Sequence, residues 1–204
     1  MKGMIAIIDY GMGNLRSVQK AFEYIGCNAI ITQNKSTIDD AAGLVLPGVG
    51  AFGDAMRALH AMDLVDAIVK NIQKGKPFLG ICLGMQLVFQ KSYEGGACQG
   101  LGILKGEIVE IPKKHKVPHM GWNSLNIKRQ TNLLKGVNSG DYVYFVHSYY
   151  LKTDVEQQVC ASVEYGVEIP AVVALDNVYA CQFHPEKSGD VGLKIVKNFG
   201  EMVV

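Results

Sequence analysis

The fold is decided by one stretch of the sequence, Lys76-Pro77-Phe78-Leu79-Gly80-Ile81-Cys82-Leu83-Gly84-Met85-Gln86-Leu87-Val88-Phe89. Its apolar start predicts a short buried strand, and the spacing through Phe89 predicts a helix directly afterwards. Gly80 and Gly84 flank Cys82 at a distance of two residues, which is the layout of a nucleophile elbow with cysteine in place of serine. So tight a turn strains its central residue and needs neighbours without a Cβ. The stretch therefore predicts Cys82 at a strand's carboxyl end, where the helix dipole favours the thiolate.

A second interpretation of Cys82 is a buried structural cysteine. Free cysteine is among the most buried residue types, so the residue by itself is not a site. The paired glycines and the change from strand to helix leave the two interpretations about equal, and the rest of the chain has to decide between them.

Length and composition limit the classes of protein to consider. The 204 residues are 49% hydrophobic and carry a net charge of +1, which suits one folded domain spanning 1–204 and gives no electrostatic basis for binding nucleic acid or an anionic membrane. The odd number of cysteines, five, does not resemble a disulfide framework and fits a reducing compartment. The apolar run 4–8 is too short for a signal peptide or a membrane span. We expect a cytoplasmic protein.

The order of apolar segments predicts an α/β fold. The chain opens with a strand over 4–9, a helix over 17–25 and a strand over 28–32, the signature of a parallel sheet. We therefore expect a mostly parallel central sheet flanked by helices, with an added region of antiparallel strands. The further predicted strands are 42–46, 76–82, 101–104, 107–111, 142–150, 159–163, 171–175 and 178–184, and the further predicted helices are one or two over 55–72 and one over 191–199.

Gly48-Val49-Gly50-Ala51-Phe52-Gly53 matches the G-x-G-x-x-G pattern of dinucleotide-binding proteins. In those proteins the pattern lies on the first strand–helix unit and an acidic residue ends the next strand, and neither condition holds here. Backbone N–H groups of such a loop can instead face a developing negative charge, as in an oxyanion hole. A plain tight turn is the third possibility.

His184-Pro185-Glu186 ends the last predicted strand. Proline favours extended geometry in the residue before it, and residues two apart in an extended chain face the same side. The Glu186 carboxylate can then hold the His184 imidazole, which is the base-and-orienter pair that a nucleophile needs. A loop histidine is the alternative for His184 taken alone, but together with Cys82 the pair predicts a Cys–His–Glu triad.

Two further features of the sequence lie between residues 115 and 123. His115 and His119 are four apart, but Pro118 breaks helical geometry between them, so we assign no metal site there. We also expect no cofactor. Trp122, the single tryptophan, follows Pro118 and Gly121 on a predicted loop, where it could anchor an interface rather than fill a core.

The two motifs around Cys82 and His184 together resemble the class I (triad) glutamine amidotransferase family. The stretches Asp9-Tyr10-Gly11-Met12-Gly13-Asn14-Leu15, Leu46 to Gly53 and Pro118 to Asn123 are similar to the branch that supplies ammonia to a (β/α)8-barrel synthase of histidine biosynthesis. The resemblance runs from residue 4 to about 200.

The resemblance implies that the chain hydrolyses glutamine through a thioester, with Cys82 as nucleophile, His184 as base and acid, and Glu186 as the residue that orients His184. It implies further residues that bind glutamine or its oxyanion: Gly48, Val49, Gly50, Leu83, Gln86, Glu94, His147, Ser148 and Tyr149. It places four residues against the barrel partner in a heterodimer: Asn14, Trp122, Tyr144 and Lys187. In this family the loop at Val49 can rest with a peptide turned away until the partner binds, so the isolated chain is expected to be nearly inactive.

Two alternatives remain at this point. One is a related glutaminase that serves another pathway, such as pyridoxal phosphate synthesis. The other is a non-catalytic dinucleotide-binding module built on residues 48–53.

Overall fold

A computed structural model describes residues 3–203. Its strands are β1 (Ile5–Ile8), β2 (Ala29–Thr32), β3 (Gly43–Gly48), β4 (Phe78–Cys82), β5 (Lys91–Ser92), β6 (Cys98–Gln99), β7 (Glu107–Glu110), β8 (His119–Ser124), β9 (Asn126–Ile127), β10 (Tyr142–His147), β11 (Tyr149–Lys152), β12 (Val159–Glu164), β13 (Glu168–Leu175) and β14 (Val178–Cys181). Its α-helices are α1 (Leu15–Tyr24), α2 (Lys35–Asp40), α3 (Phe52–Ala61), α4 (Val65–Gln73), α5 (Leu83–Leu87) and α6 (Gly189–Met202).

The central sheet has eight strands in the order β2-β1-β3-β4-β14-β13-β12-β9. The five strands from β2 to β14 are mutually parallel, and the remaining three pair antiparallel. This arrangement confirms the predicted α/β fold with a largely parallel sheet and an antiparallel addition. Strands β1, β3 and β4 are buried along their whole length, because helices cover both faces of this half of the sheet.

Each face of the sheet has its own apolar core. Helices α1 and α6 cover one face, where Phe22 and Phe199 meet edge to face with ring centroids 6.1 Å apart. Helices α2 to α5 cover the other face, where Phe52, Ile68 and Phe89 are fully buried. The apolar run of each parallel strand thus supplies side chains alternately to the two cores.

Residues 142–150 form two strands rather than the predicted one. Strand β10 pairs with β8 in a two-stranded ribbon, whereas β11 joins a separate sheet in the order β11-β7-β5-β6. The chain changes partners at Ser148, whose carbonyl accepts a hydrogen bond of 2.9 Å from Ile111 N. The aromatic, β-rich pattern is continuous across this point, so periodicity alone could not locate the break.

Further local predictions differ from the structure, and the short strands β5, β6 and β9 have no predicted counterpart. Residues 101–104 are not a strand, because their N–H groups donate to carbonyls at the end of α5. The hydrogen bond from Leu101 N to Leu87 O, for example, is 2.8 Å long. Those same contacts end α5 before the predicted Phe89. Residues 119–123 belong to strand β8 rather than a loop. Helix α2 has no counterpart among the predicted helices; Asn34 Oδ1 caps it by accepting a bond of 2.9 Å from Ser36 N.

Within residues 3–203, no helix is both long enough and apolar enough to cross a lipid bilayer.

Candidate active site

Cys82 lies at the point where strand β4 passes directly into helix α5. Its backbone has φ +54° and ψ −108°, a conformation that residues with a side chain rarely adopt. The flanking glycines make the turn possible. A Cβ at Gly80 would lie 2.8 Å from Gly84 O, and a Cβ at Gly84 would overlap the Leu46 carbonyl. The elbow predicted from the sequence is therefore present, although α5 has only five residues and its dipole contributes less than that of a full-length helix.

His184 and Glu186 form a buried pair in the segment that follows strand β14. Strand β14 lies beside β4, and the chain continues from Cys181 to His184, whose Nδ1 is 2.9 Å from Glu186 Oε1. The two side chains are only 3% and 2% exposed. The predicted contact is present, but the predicted geometry is wrong: the strand ends at Cys181, and a 3-10 turn over Pro185–Lys187 brings the carboxylate back to the imidazole.

The surroundings of His184 favour its protonated form. Burial lowers the pKa of His184, but interactions with Cys82 and with the Glu186 carboxylate outweigh burial and raise this pKa to about 10. His184 Nε2 is buried and has no hydrogen-bond partner among the described residues. The imidazole is thus anchored through Nδ1 and leaves Nε2 available on the side of the cavity it shares with Cys82.

A cavity of about 380 Å³ brings the predicted site residues together. Cys82 and His184 both line it. The other residues of its wall are Val49, Gly50, Leu83, Gln86, Glu94, Pro118, Val146, His147, Ser148 and Tyr149. All of the residues expected to bind glutamine or its oxyanion line this cavity except Gly48, which lies directly opposite Cys82 in the register of β3 and β4.

The loop after β3 is anchored at both ends. The buried Tyr10 hydroxyl donates a bond of 3.0 Å to Pro47 O, and Phe52 N, at the start of α3, donates one of 2.7 Å to Glu94 Oε2. Between these anchors, Gly50 has φ +102° and the Val49 side chain is 42% exposed. The Glu94 carboxylate therefore has a structural contact in addition to its place in the cavity wall.

Gln182 is a site residue that the sequence reasoning missed. It is fully buried, and its Nε2 lies 3.7 Å from Cys82 Sγ, close enough to donate to the sulfur. Gln182 Oε1 in turn accepts a bond of 3.0 Å from Gln86 Nε2. The sequence held a signal for it: Gln182 precedes His184 by two residues, the spacing at which extended residues face the same side.

The four residues expected to face a partner lie at the surface to different degrees. Trp122 is 56% exposed on β8, and its ring meets that of Tyr144 on β10 at a centroid distance of 6.1 Å. Asn14 is exposed just before α1, and Lys187 is exposed in the turn after His184. Because β1 and β14 are parallel strands of one sheet, Asn14 and Lys187 follow the same carboxyl edge on which Cys82 lies.

A larger cavity, of about 730 Å³, lies between β11 and the β12–β13 pair. Its wall includes Lys128, Arg129 and Glu168, and none of the predicted site residues. Lys128 and Glu168 form an ion pair of 2.6 Å, and Arg129 donates to the carbonyls of Gln157 and Ala174. These contacts give the charged groups of Lys128, Arg129 and Glu168 partners within the fold. Cys82 and His184 line the smaller cavity, which is therefore the candidate active site.

A strained cysteine that shares a cavity with a buried His–Glu pair, at the carboxyl edge of a parallel sheet, has the arrangement that cysteine-dependent acyl transfer requires. Comparison with known proteins narrows this class. The family model for glutamine amidotransferase class-I matches residues 6–202. The chain therefore belongs to the class-I glutamine amidotransferase family.

Curated relatives cover nearly the whole chain. This chain is 60% identical over 200 residues to the imidazole glycerol phosphate synthase subunit HisH of Caldanaerobacter subterraneus subsp. tengcongensis, and the alignment covers 98% of both chains. It is 53% identical over 194 residues to the protein of the same name from Aquifex aeolicus, covering 95% of this chain and 94% of the relative. These relatives are named as subunits of a synthase, that is, of an assembly with other chains.

Solved structures agree on the fold. The structure of PurLQS from Thermotoga maritima superposes with a TM-score of 0.78 at 21% identity, covering 98% of each chain. A crystal structure of a glutamine amidotransferase superposes with a TM-score of 0.77 at 19% identity, covering 97% of this chain and 98% of that one. At this level of identity the likeness concerns the fold alone.

Proposed function

We propose that this chain is the glutaminase component of an imidazole glycerol phosphate synthase. It hydrolyses glutamine to glutamate and ammonia, and its partner uses the ammonia to make imidazole glycerol phosphate and an aminoimidazole carboxamide ribonucleotide in histidine biosynthesis. The observation that supports this chemistry is that Cys82 and His184 line one cavity, while the Glu186 carboxylate is hydrogen-bonded to Nδ1 of the His184 imidazole. The identity of 50–60% to the curated relatives carries the choice of pathway over pyridoxal phosphate synthesis.

The first half of the reaction forms a thioester. The Cys82 thiolate attacks the side-chain carboxamide carbon, a C–S bond forms, and the carbonyl π electrons move to the oxygen. When this tetrahedral intermediate collapses, the C–N bond breaks and the proton on His184 goes to the nitrogen, so neutral ammonia leaves. The raised pKa of His184 supports this step, because the imidazole holds a proton at neutral pH.

The second half regenerates the enzyme. Water gives a proton to His184 and attacks the thioester carbon, and collapse breaks the C–S bond. The Cys82 thiolate and the His184 imidazolium return, and glutamate leaves once its new carboxyl group has lost its remaining proton to solvent. Glu186 keeps the imidazole oriented and stabilises its positive charge in both halves.

The backbone N–H groups of Val49 and Leu83 stabilise the oxyanion that forms on the carboxamide oxygen. Both residues line the cavity with Cys82, and Gly48 lies opposite Cys82 in the register of β3 and β4, where a Cβ would collide with the Tyr10 hydroxyl. A donor of this kind contributes about 3–4 kcal/mol to the transition state in comparable enzymes.

Five further residues of the cavity wall bind the amino-acid end of glutamine. We assign this role to Gln86, Glu94 and the segment His147-Ser148-Tyr149. Gln86 uses its Nε2 group within the protein, donating to Tyr149 O at 2.9 Å, so its Oε1 atom is the acceptor it offers to the substrate.

The partner is a (β/α)8-barrel synthase that forms a heterodimer with this chain in the cytoplasm, and residues 1–204 act as one domain. Trp122 and Tyr144 on the β8–β10 ribbon, with Asn14 and Lys187 at the carboxyl edge, form the contact surface. Trp122 is 56% exposed although it is a large aromatic residue, which supports a surface that another chain covers. A sealed path between the two chains keeps ammonia from diffusing into solvent.

Two experiments test this proposal. Glutaminase activity is measured for the chain alone and with the barrel synthase and its ribonucleotide ligand, and we expect activity to rise strongly in the complex. Complementation of a histidine auxotroph tests the pathway, and rescue of a pyridoxal auxotroph instead would overturn the assignment. Equal activity alone and in the complex would overturn partner gating.

A further inference from the structure

A second set of polar side chains lies on the inner face of the β8–β10 ribbon and begins at His147, which lines the cavity. His119 and His147 face each other across the two strands, and His119 Nδ1 is 2.9 Å from His147 Nε2. Both side chains are buried, with relative exposures of 3% and 6%. The ribbon's outer face carries Trp122 and Tyr144, so one thin element has the histidine pair on one side and the proposed partner surface on the other.

The hydrogen-bond partners fix where the protons lie. Tyr149 O can only accept, so His147 Nδ1, at 2.9 Å from it, carries the hydrogen. His147 Nε2 must then be the acceptor of the hydrogen bond between the two rings, and His119 Nδ1 must be its donor. Burial lowers the pKa of His119 to about 4 and that of His147 to about 3, so both rings are neutral at pH 7 and each has one defined tautomer.

Asn123 holds the far end of this chain of hydrogen bonds. Its Nδ2 group donates to His119 Nε2 at 3.3 Å and to Glu164 O at 3.1 Å. Its Oδ1 atom accepts from Ser124 N at 2.8 Å, which sets the orientation of the amide. Each donor and acceptor of the His119 ring is thereby matched.

The other end of this chain of hydrogen bonds reaches Cys82, the proposed nucleophile. Tyr149 O accepts a second bond of 2.9 Å from Gln86 Nε2, which also donates to Gln182 Oε1. Gln182 Nε2 then faces the Cys82 sulfur. A continuous series of matched hydrogen bonds therefore runs from strand β8 through the glutamine cavity to Cys82.

We propose that His119, held by Asn123, is a positioning residue that keeps His147 in its Nδ1–H tautomer and thereby fixes the Tyr149 carbonyl and the Gln86 amide for glutamine binding. His119 does not line the cavity and acts only through His147. This inference rests on the proposed glutaminase function and adds a residue to it.

The competing explanation is packing. The His119 ring lies between those of Tyr165 and Phe145, with centroid distances of 4.0 and 4.7 Å. Two variants separate packing from hydrogen bonding. His119→Phe keeps an aromatic ring in the stack but removes the donor, whereas His119→Asn loses the stack but places an amide N–H where Nδ1–H was.

The test combines NMR with kinetics of the complex. Long-range proton–nitrogen spectra of the imidazoles report the His147 tautomer, and glutamine KM and kcat are measured with the barrel partner. In His119→Phe only the Tyr149 carbonyl still favours the Nδ1–H tautomer of His147. We therefore expect this variant to populate both tautomers and to raise KM about ten- to a hundredfold, the range for a buried acceptor that loses its donor. His119→Asn should restore the tautomer and most of the affinity. Tyr165→Phe, which keeps the stack and loses only the hydroxyl's bond to Lys116 O, is the control and should match the wild type.

Each outcome decides a different point. An unchanged tautomer and KM in His119→Phe would overturn the positioning role, and so would a KM that rises more in His119→Asn than in His119→Phe. An inactive wild-type complex with the expected tautomer would refute the glutaminase function and leave the hydrogen-bond assignment standing. If His119→Phe does not fold, Asn123→Ala replaces it, and a wild-type tautomer and KM in that variant would count against the proposal.

Discussion

The half of the sheet that carries Cys82 and the ribbon that faces it are built in opposite ways. Strand β4 is buried over all five residues and has a parallel neighbour on each side, whereas the ribbon has only two strands and exposes every second residue along part of β8. Met120 and Trp122 on its outer face are 62% and 56% exposed. The nucleophile thus ends a buried strand with a neighbour on each side, whereas the opposite wall of its cavity belongs to a two-stranded ribbon with one face open to solvent.

This contrast separates two functions in space. A strained backbone at Cys82 persists only where the surroundings hold it, and the buried sheet does so. A ribbon of two strands has fewer neighbours and is the part that a bound protein can influence, through its outer face and through the backbone bond of 3.0 Å from His184 N to Tyr144 O. Substitutions in the buried sheet and in the ribbon test this separation of functions.

Removing the nucleophile has the largest expected effect. Cys82→Ala should lower glutaminase kcat in the complex by at least about 10³-fold, because no other group in the proposed mechanism can form the thioester. Steady-state ammonia release measures it. Cys98→Ser, at a partly exposed cysteine outside the cavity, is the control and should keep wild-type turnover. Comparable turnover in Cys82→Ala would remove the chemical basis of the account.

Filling the elbow should destabilise the rigid half of the molecule. A methyl group at Gly84 overlaps the Leu46 carbonyl, so we expect Gly84→Ala to lower the free energy of unfolding by about 3 kcal/mol. Urea denaturation measures this change. Gly53→Ala is the matched control, because its added Cβ meets nothing closer than Arg57 Nη1 at 3.5 Å. Equal stability of the two variants would show that the elbow is not tightly constrained.

The same contrast explains what sequence could predict. Continuous apolar runs identify β1, β3 and β4 and hence the parallel sheet, and the glycine spacing identifies the elbow at Cys82. The ribbon is harder, because which strand pairs with which is set by contacts distant in sequence: the local pattern predicts a loop where β8 lies and one strand where residues 142–150 divide between two sheets. For Gln182 the spacing from His184 is a local signal, but its contact with Cys82, a hundred residues earlier, depends on the tertiary fold.

The outer face of the ribbon should control partner binding without affecting stability. Trp122→Ala should weaken binding of the barrel synthase by about 2 kcal/mol, or about thirtyfold, as expected for an aromatic anchor. Titration calorimetry measures the affinity. Tyr24→Ala is the control, since Tyr24 is 78% exposed but ends α1 on the side of the sheet away from the carboxyl edge. Unchanged affinity in Trp122→Ala would place the interface elsewhere.

The inner face of the ribbon should make the protein sensitive to acid. Burial lowers the pKa of His119 to about 4 and that of His147 to about 3, both below the ordinary value of 6.5. Their neutral forms therefore favour the folded state above pH 6.5, and this contribution is lost as the pH falls toward 4. Each histidine adds up to about 1.4 kcal/mol per pH unit in that window. Urea denaturation at pH 7, 6 and 5 should show a smaller loss for His119→Phe. An equal loss of stability in His119→Phe and in the wild type would contradict this prediction.

The proposed mechanism requires a covalent bond between the Cys82 sulfur and the glutamine side chain. Treating the complex with a glutamine-like diazoketone and locating the modified thiol by mass spectrometry tests for this bond. We predict one modification, on Cys82, that excess glutamine prevents, while the buried Cys181, whose thiol pKa is raised by burial, stays unmodified in the same sample. An active complex in which Cys82 stays unmodified, or in which another cysteine reacts instead, would contradict the account.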